Sequence, residues 1–214
     1  MTCKICNAHA QLFYKELRTF YKCESCSLIF TPCTVDHESQ LRHYKSQWGN
    51  GKADVTQDLA QKIIILINKY TRPYNILDFG SGSGRLSDEL QRRGLNVTPL
   101  DPISNGYLKD QSYPYKFNVV VAVEVIEHLL DIWEEITEIN KVLSHDGIMI
   151  FTTYLTNHFI DRPDARNYFK NWWYKDDPTH LNFFCTRTLV KLAGKIDFKT
   201  LDIYGKNAFV LGRL

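Results

Sequence analysis

Residues 76–86 read ILDFGSGSGRL, an apolar run closed by one carboxylate and followed by glycines at the alternate positions 80, 82 and 84. The run is the first of several. Asn75 to Phe79, Asn96 to Leu100, Asn118 to Val123 and Gly147 to Thr153 are short apolar strand candidates, and Arg85 to Gly94 and Ile126 to Leu143 between them carry helical spacing. Strands that are apolar throughout are buried on both faces. The alternation therefore predicts an α/β, doubly wound, mostly parallel sheet whose ligands lie beyond the carboxyl ends of the strands. Leu59, Ile63, Leu66, Ile67 and Tyr70 place a helix over Val55 to Tyr70 ahead of the first strand. After one more helix, Lys199 to Tyr204 and Ala208 to Leu214, joined by Gly205-Lys206-Asn207, form an antiparallel pair.

The charge of the glycine loop narrows its ligand. A dinucleotide fold uses G-x-G-x-x-G, but here the third glycine falls at Gly84 and the position that should hold it is Arg85. Asp78, two residues before Gly80, would repel a pyrophosphate and attract a cation. Free N–H groups at Ser83 to Leu86 favour an anion at the helix start. A zwitterionic amino-acid moiety fits both. Asp101, twenty-one residues after Gly80 in "VTPLDP", ends the second strand where a carboxylate can accept both hydroxyls of a ribose. An amino acid joined to a nucleoside is S-adenosylmethionine.

Cysteine spacing marks a second unit. Cys3, Cys6, Cys23 and Cys26 form two CxxC pairs sixteen residues apart, the spacing of a four-thiolate zinc ribbon over residues 1–33. So short a unit has too little core to fold unaided, so the metal would be structural and supply about 10 kcal/mol or more. Thioredoxin-like chemistry expects a single pair beside a βαβ unit and leaves the second unexplained. Cys33 and Cys185 read as ordinary buried thiols. Residues 34–54 read as a linker, punctuated by Gly49 and Gly51, and 55–214 as the main domain.

With 214 residues, a net charge of +2 and no apolar run near the ~18 residues of a membrane span, the chain reads as globular, with no membrane partner. The N-terminus shows no apolar signal segment, which places the expectation in the cytoplasm, where thiols stay reduced or bind metal.

Asp78-x-Gly80-x-Gly82-x-Gly84, the strand-terminal Asp101, "FNVVVAVEVIEHLLD" and the antiparallel C-terminal pair resemble class I S-adenosylmethionine-dependent methyltransferases, over about residues 55–214. "CKIC…YKCESCSLIFTP" resembles the zinc ribbon preceding that domain in a bacterial subgroup that includes sugar C-methyltransferases and enzymes of surface-polysaccharide and secondary-metabolite pathways. The resemblance implies a Rossmann-like sheet of seven strands with the last two antiparallel, and a small-molecule acceptor such as a sugar, nucleotide sugar or secondary metabolite. It also implies Asp78, Gly80, Ser81, Gly82, Gly84, Asp101 and Glu124 around the cofactor. Only fifteen residues, Pro102 to Lys116, separate Asp101 from the next strand, where the family usually places a helix, a strand and an adenine contact. Asp110 is the only acidic candidate there.

Methyl transfer from a sulfonium is an in-line displacement, so the protein must align the acceptor and, for a hydroxyl or carbon acid, remove a proton. The spacing of Glu124, Glu127 and His128 puts them on one side of a first helical turn. The same Glu-x-x-Glu-His pattern occurs in quinone-pathway O-methyltransferases and small-RNA 2′-O-methyltransferases, in which it holds a divalent metal. By resemblance Glu124, Glu127, His128 and His180 would hold Mg2+ or another divalent ion here; acids in a first turn also gain ~0.3–1 kcal/mol from the helix dipole alone. Residues 155–184 are long for a connection, and Phe159, Tyr168, Phe169, Trp172, Trp173 and Tyr174 make this segment a lid over the acceptor or its packing on the sheet. His180 is the first candidate for a general base, against a capping or packing role, and His128 the second.

Zinc ribbons also bind nucleic acid, which gives an RNA methyltransferase as the alternative. Residues 1–50 hold six basic against four acidic side chains, a weak footprint. Tyr14, Phe20, Tyr21 and Phe30 either stack on bases or form the ribbon's own core.

Overall fold

The computed structural model describes residues 1–34, 36–47 and 53–213. Its larger sheet contains β4 (Ile76–Phe79), β5 (Val97–Leu100), β6 (Phe117–Val123), β7 (Leu143–Thr152), β9 (Lys199–Tyr204) and β10 (Ala208–Gly212), in the order β5-β4-β6-β7-β10-β9. The first four strands run parallel, and β10 is antiparallel to both β7 and β9. Along β6 the pleat sends Val119 and Val121 to one face and Val120 and Ala122 to the other, and both faces are covered. Ile63, Ile67, Leu86 and Leu90, from α2 (Ala53–Tyr70) and α3 (Arg85–Arg92), cover the first face; Ile136, Ile139, Leu189 and Leu192, from α4 (Ile132–Val142) and α6 (Thr186–Gly194), cover the second.

Three expectations need correction. The sheet has six strands among the described residues, not seven. Pro102 to Lys116 forms only a short 3-10 turn at Leu108–Asp110, because fifteen residues cannot hold a crossover helix and a further strand. The carbonyls of Asn96 and Leu100 accept from Ile76 and Gly80, so residues 97 and 99 turn their backbone groups to the open edge, where Pro99 has no N–H to offer another strand. The helix expected over Ile126 to Leu143 is broken: Ile126–His128 is a 3-10 turn, Leu129 is extended, and Asp131 caps α4 by accepting from the N–H groups of Trp133 and Glu134. The dipole explanation for Glu127 loses its helix. The linker contains a helix, α1 (His37–Gln47), while Gly49 and Gly51 lie outside the described residues.

A smaller antiparallel sheet joins the two ends of the chain. β1 (Ala10–Lys15), β2 (Thr19–Cys23) and β3 (Ile29–Phe30) come from the ribbon, and β8 (Asn182–Phe183) comes from the lid segment, which also carries the short helix α5 (Ala165–Lys170), and pairs with β3. The buried aromatics of this segment accordingly pack on the ribbon. Phe159, Phe169, Tyr174 and Phe183 interlock with Phe13 and Phe20, with ring centroids of Phe20 and Phe169 4.9 Å apart at 75°. Tyr168 and Trp173 remain exposed. Cys185 is buried as expected, whereas Cys33 is exposed. No helix among the described residues is long and apolar enough to cross a membrane.

Candidate functional site

The strand β4 delivers the chain into the glycine loop. Gly80, Gly82 and Gly84 all take positive φ, 76°, 55° and 79°, which explains their alternate spacing. Gly80 is also closely packed: a Cβ there would stand 2.4 Å from a methyl of Val125. The N–H groups of Gly80 and Ser81 donate to the Leu100 carbonyl at 2.8 and 3.0 Å, tying the loop to the end of β5. Asp101, just beyond β5, accepts from Gly82 N at 3.0 Å and Ile103 N at 2.9 Å.

A cleft of about 750 Å³ opens from this point. Gly80, Gly82 and Asp101 line one end; Ile103, Tyr107, Leu108 and Leu129 give it apolar walls; Glu124, His128 and Tyr44 line the other. Its size and mixed lining are those of a small-ligand site. Asp78 does not line the cleft. It is 2% exposed and accepts a 2.7 Å hydrogen bond from Ser87, and burial pushes its carboxyl up to about 6, with the charge of Asp101 adding to the rise. Ser81, Gly84 and Asp110 are likewise absent from the lining.

At the far end, Glu124 sits in the left-handed region at φ 52°, an uncommon conformation for a non-glycine residue. Thr152 stabilises it: the Glu124 N–H donates to the Thr152 carbonyl at 3.0 Å, and the Thr152 hydroxyl donates to Oε1 at 3.0 Å. The Tyr174 hydroxyl lies 2.9 Å from Glu124 Oε2 and 2.5 Å from Glu127 Oε1. One phenolic proton thus serves two carboxylates. Burial, followed by the charge of Glu124, raises the fully buried Glu127 well above the usual carboxylate range, and burial raises Glu124 and Tyr174 as well. The second oxygen of Glu127 has no hydrogen-bond partner among the described residues. Such a cluster requires a shared proton or a cation.

Two imidazoles complete that end. His128 Nδ1 is 3.1 Å from the Thr179 carbonyl and His180 Nδ1 is 2.7 Å from the Tyr174 carbonyl, which assigns the proton to Nδ1 in both and leaves each Nε2 with a free lone pair. Burial takes His128 down to about 3 and lowers His180 too, so both are neutral. Glu127, His128 and His180 offer ligand atoms within 4.8 Å of one another, each imidazole oriented by a carbonyl on its other nitrogen. The donor set fits a divalent cation. Glu124, expected as a ligand beside Glu127 and His128 with His180 as the further one, stands outside the trio and is joined to it through Tyr174. His128 lines the cleft and His180 stands outside its lining, reversing the expected order of access.

The four ribbon cysteines also meet as expected. Cys3 and Cys26 sulfurs are 3.6 Å apart and Cys6 and Cys23 sulfurs 3.4 Å, with all four within 4.8 Å. A tetrahedral zinc with Zn–S of ~2.3 Å needs sulfurs about 3.8 Å apart, so the soft donors and their spacing fit that ion. The hydrogen bond from Cys26 is the largest cause of the fall of Cys3 to about 5, while Cys26 itself is pushed up.

Tyr44 is a cleft residue that the sequence did not reveal. It projects from α1 onto the edge of the His128 ring, centroids 5.4 Å apart, and burial pushes its phenol up to about 12. The neighbouring His43 bonds Asp177 at 3.0 Å, so α1 forms a roof over this end. No periodicity in so polar a helix could have signalled that. Tyr174 was visible only as one of many lid aromatics.

A Rossmann-like sheet with its cleft at the ends of β4, β5 and β6 is the class of fold this chain adopts. Residues 51–203 match the family model described as "Methyltransferase domain", and the chain belongs to that family. It is similar to a ubiquinone biosynthesis O-methyltransferase of Azorhizobium caulinodans, 29% identical over 99 residues, a match covering 36% of this chain and 39% of the relative. The chain thus spans well under two thirds of that relative's length. Among solved structures, the plantazolicin methyltransferase BpumL in complex with SAH shares the fold, with TM-score 0.58 and 12% identity over 83% of this chain and 92% of that one. The 1,6-didemethyltoxoflavin-N1-methyltransferase of Burkholderia thailandensis, with 1,6-didemethyltoxoflavin and S-adenosylhomocysteine bound, superposes with TM-score 0.55 and 14% identity over 95% of this chain and 97% of that one.

Proposed function

We propose that this chain transfers the methyl group of S-adenosylmethionine to a hydroxyl of a small-molecule acceptor. The observation that carries the reading is a single cleft with a nucleoside end and a reacting end. Asp101, oriented by two backbone N–H groups, would hold the ribose, the glycine loop would take the amino-acid portion, and Ile103, Leu108 and Leu129 would supply apolar walls for the adenine. Asp78 acts from behind the wall, as a buried negative charge that favours the cationic end of the cofactor. Ser81 and Gly84 shape the loop without touching the ligand.

At the reacting end, the acceptor oxygen attacks the methyl carbon in line with the departing thioether, and the acceptor loses its proton. His128 is the imidazole placed to receive that proton, although its depressed basicity makes it a weak base by itself. The same depression suits a metal ligand, which must be neutral. Glu127 and the Nε2 atoms of His128 and His180 would hold a divalent cation, which would supply Lewis-acid activation of the hydroxyl. Tyr174 fixes both carboxylates, and Tyr44 closes the cleft over the acceptor. The O-methyltransferase named among the relatives supports oxygen as the acceptor atom. Zinc at Cys3, Cys6, Cys23 and Cys26 is structural in this reading.

The RNA alternative finds little support in the ribbon. Phe20 and Phe30 are buried, and Arg18 and Lys22 spend their donors on carbonyls within the chain. A screen of phenols, nucleotide sugars and RNA with labelled S-adenosylmethionine tests the reading. Methylated RNA would overturn the acceptor class, and failure to bind S-adenosylhomocysteine in calorimetry would overturn the donor.

A further inference from the structure

Arg18, at the tip of the β1–β2 hairpin, makes a contact that docking of the ribbon does not require. Its Nη1 donates to the carbonyls of Pro178 at 3.1 Å and His180 at 2.9 Å, and its Nη2 donates to the carbonyls of Asp177 at 2.8 Å and Lys175. The guanidinium also lies over Phe20, 5.0 Å from the ring centroid. Four main-chain carbonyls of one short loop therefore point at one cation. Without a donor between them these dipoles repel and turn to solvent.

The same loop orients both imidazoles of the site. Its Thr179 carbonyl takes the Nδ1 proton of His128, and it carries His180, whose own Nδ1 proton goes to the Tyr174 carbonyl at the loop's start. The ribbon is already fastened without Arg18. β3 pairs with β8, Lys22 donates to the Ile160 carbonyl at 2.9 Å, Arg187 donates to Ser27 at 2.9 Å, and Thr188 donates to the Cys26 carbonyl at 2.8 Å.

We propose that Arg18 is a positioning residue of the methyl-transfer site: by gathering the carbonyls of residues 175–180, the ribbon's hairpin tip fixes the loop that orients His128 and His180. The inference rests on reading the Glu127, His128 and His180 end of the cleft as its reacting end. It gives the ribbon a role inside the site, in place of a separate binding module. Arg18 acts through main chain alone and touches neither ligand.

The test uses the full chain with 15N-labelled histidine, freed of magnesium and other exchangeable divalent cations so that no ion holds Nε2, above the pH range in which imidazole titrates. A neutral imidazole without a fixed partner mixes its two tautomers, and the hydrogen bond on one nitrogen decides between them. In the wild type, long-range 1H–15N correlations should place the proton on Nδ1 of both His128 and His180. Arg18→Ala should convert these patterns to tautomer mixtures, and Arg18→Lys, which keeps the charge but not the fork, should fall between. Leu17→Ser, at a fully exposed neighbour, should match the wild type. The affinity for S-adenosylhomocysteine, bound at the other end of the cleft, should be unchanged in all of them. Wild-type tautomer patterns in a folded Arg18→Ala or Arg18→Lys protein would overturn the proposal, and Arg18→Lys decides if the alanine variant does not fold. A wild type that fails to bind S-adenosylhomocysteine would instead remove the functional reading and leave the tautomer comparison intact.

Discussion

Burying the Asp78 carboxylate costs stability that the hydrogen bonds from the Ser87 hydroxyl and backbone do not return, and its rise to about 6 records that cost. The folded chain therefore holds a proton on this group at pH values where the unfolded chain has lost it. Stability from Asp78 is greatest below about pH 4 and falls as pH rises through about 6, where the ionised group costs roughly 3 kcal/mol. Asp78→Asn should melt higher than the wild type near neutral pH, with the difference shrinking towards pH 4, while binding S-adenosylhomocysteine more weakly; a difference independent of pH would count against this. Gly80→Ala should cost at least about 1–2 kcal/mol in denaturant unfolding, from the left-handed backbone and the clash with Val125. Adding Val125→Ala should recover the steric part only, since the positive φ remains. These residues were legible in the sequence because spacing alone sets them at the end of a strand. Tyr44, Tyr174 and Arg18 were not, because their roles depend on contacts with segments far away in the chain, and no local pattern marks such partners.

Single elements show where local pattern reaches its limit. The apolar runs gave the strands to within a residue or two, because a doubly buried strand has no polar face to confuse it; the exception is β7, which starts at Leu143, four residues before the expected Gly147, through the polar Ser144, His145 and Asp146. The stretch from Ile126 to Leu143 kept helical spacing across a break, since Asp131 can cap a new helix without disturbing the periodicity on either side. The loss of the outer strand was visible as a shortage of residues, but its consequence for the edge was not. There Pro99 protects β5 by omission. Pro99→Val restores an outward N–H on an exposed strand, and the variant should shift to larger species with concentration in size-exclusion chromatography. A strictly unchanged elution volume would show that something else guards that edge.

Across the whole molecule, the ribbon and the lid form one sheet around one aromatic cluster, so they should lose structure together. On the proposal that the four thiolates hold zinc, chelation with zinc release measured directly should speed hydrogen exchange in residues 1–33 and 155–184 in step and spare the α2–α3 face. Retained protection over 155–184 after zinc loss would separate the two units. The cysteine spacing foretold that the four sulfurs would meet, but not the ribbon's partner, because a two-residue strand such as β8 carries too little pattern to be matched across about 150 residues of chain.

Arg18 recognises its loop through carbonyl oxygens, which every residue possesses. The grip therefore reads none of the side chains at 175, 177 and 178, and any constraint on Lys175 and Asp177 comes from their own partners, Glu16, His43 and Thr179. Across relatives that keep the ribbon, no compensating exchange between position 18 and this loop should betray the contact to a comparison of sequences.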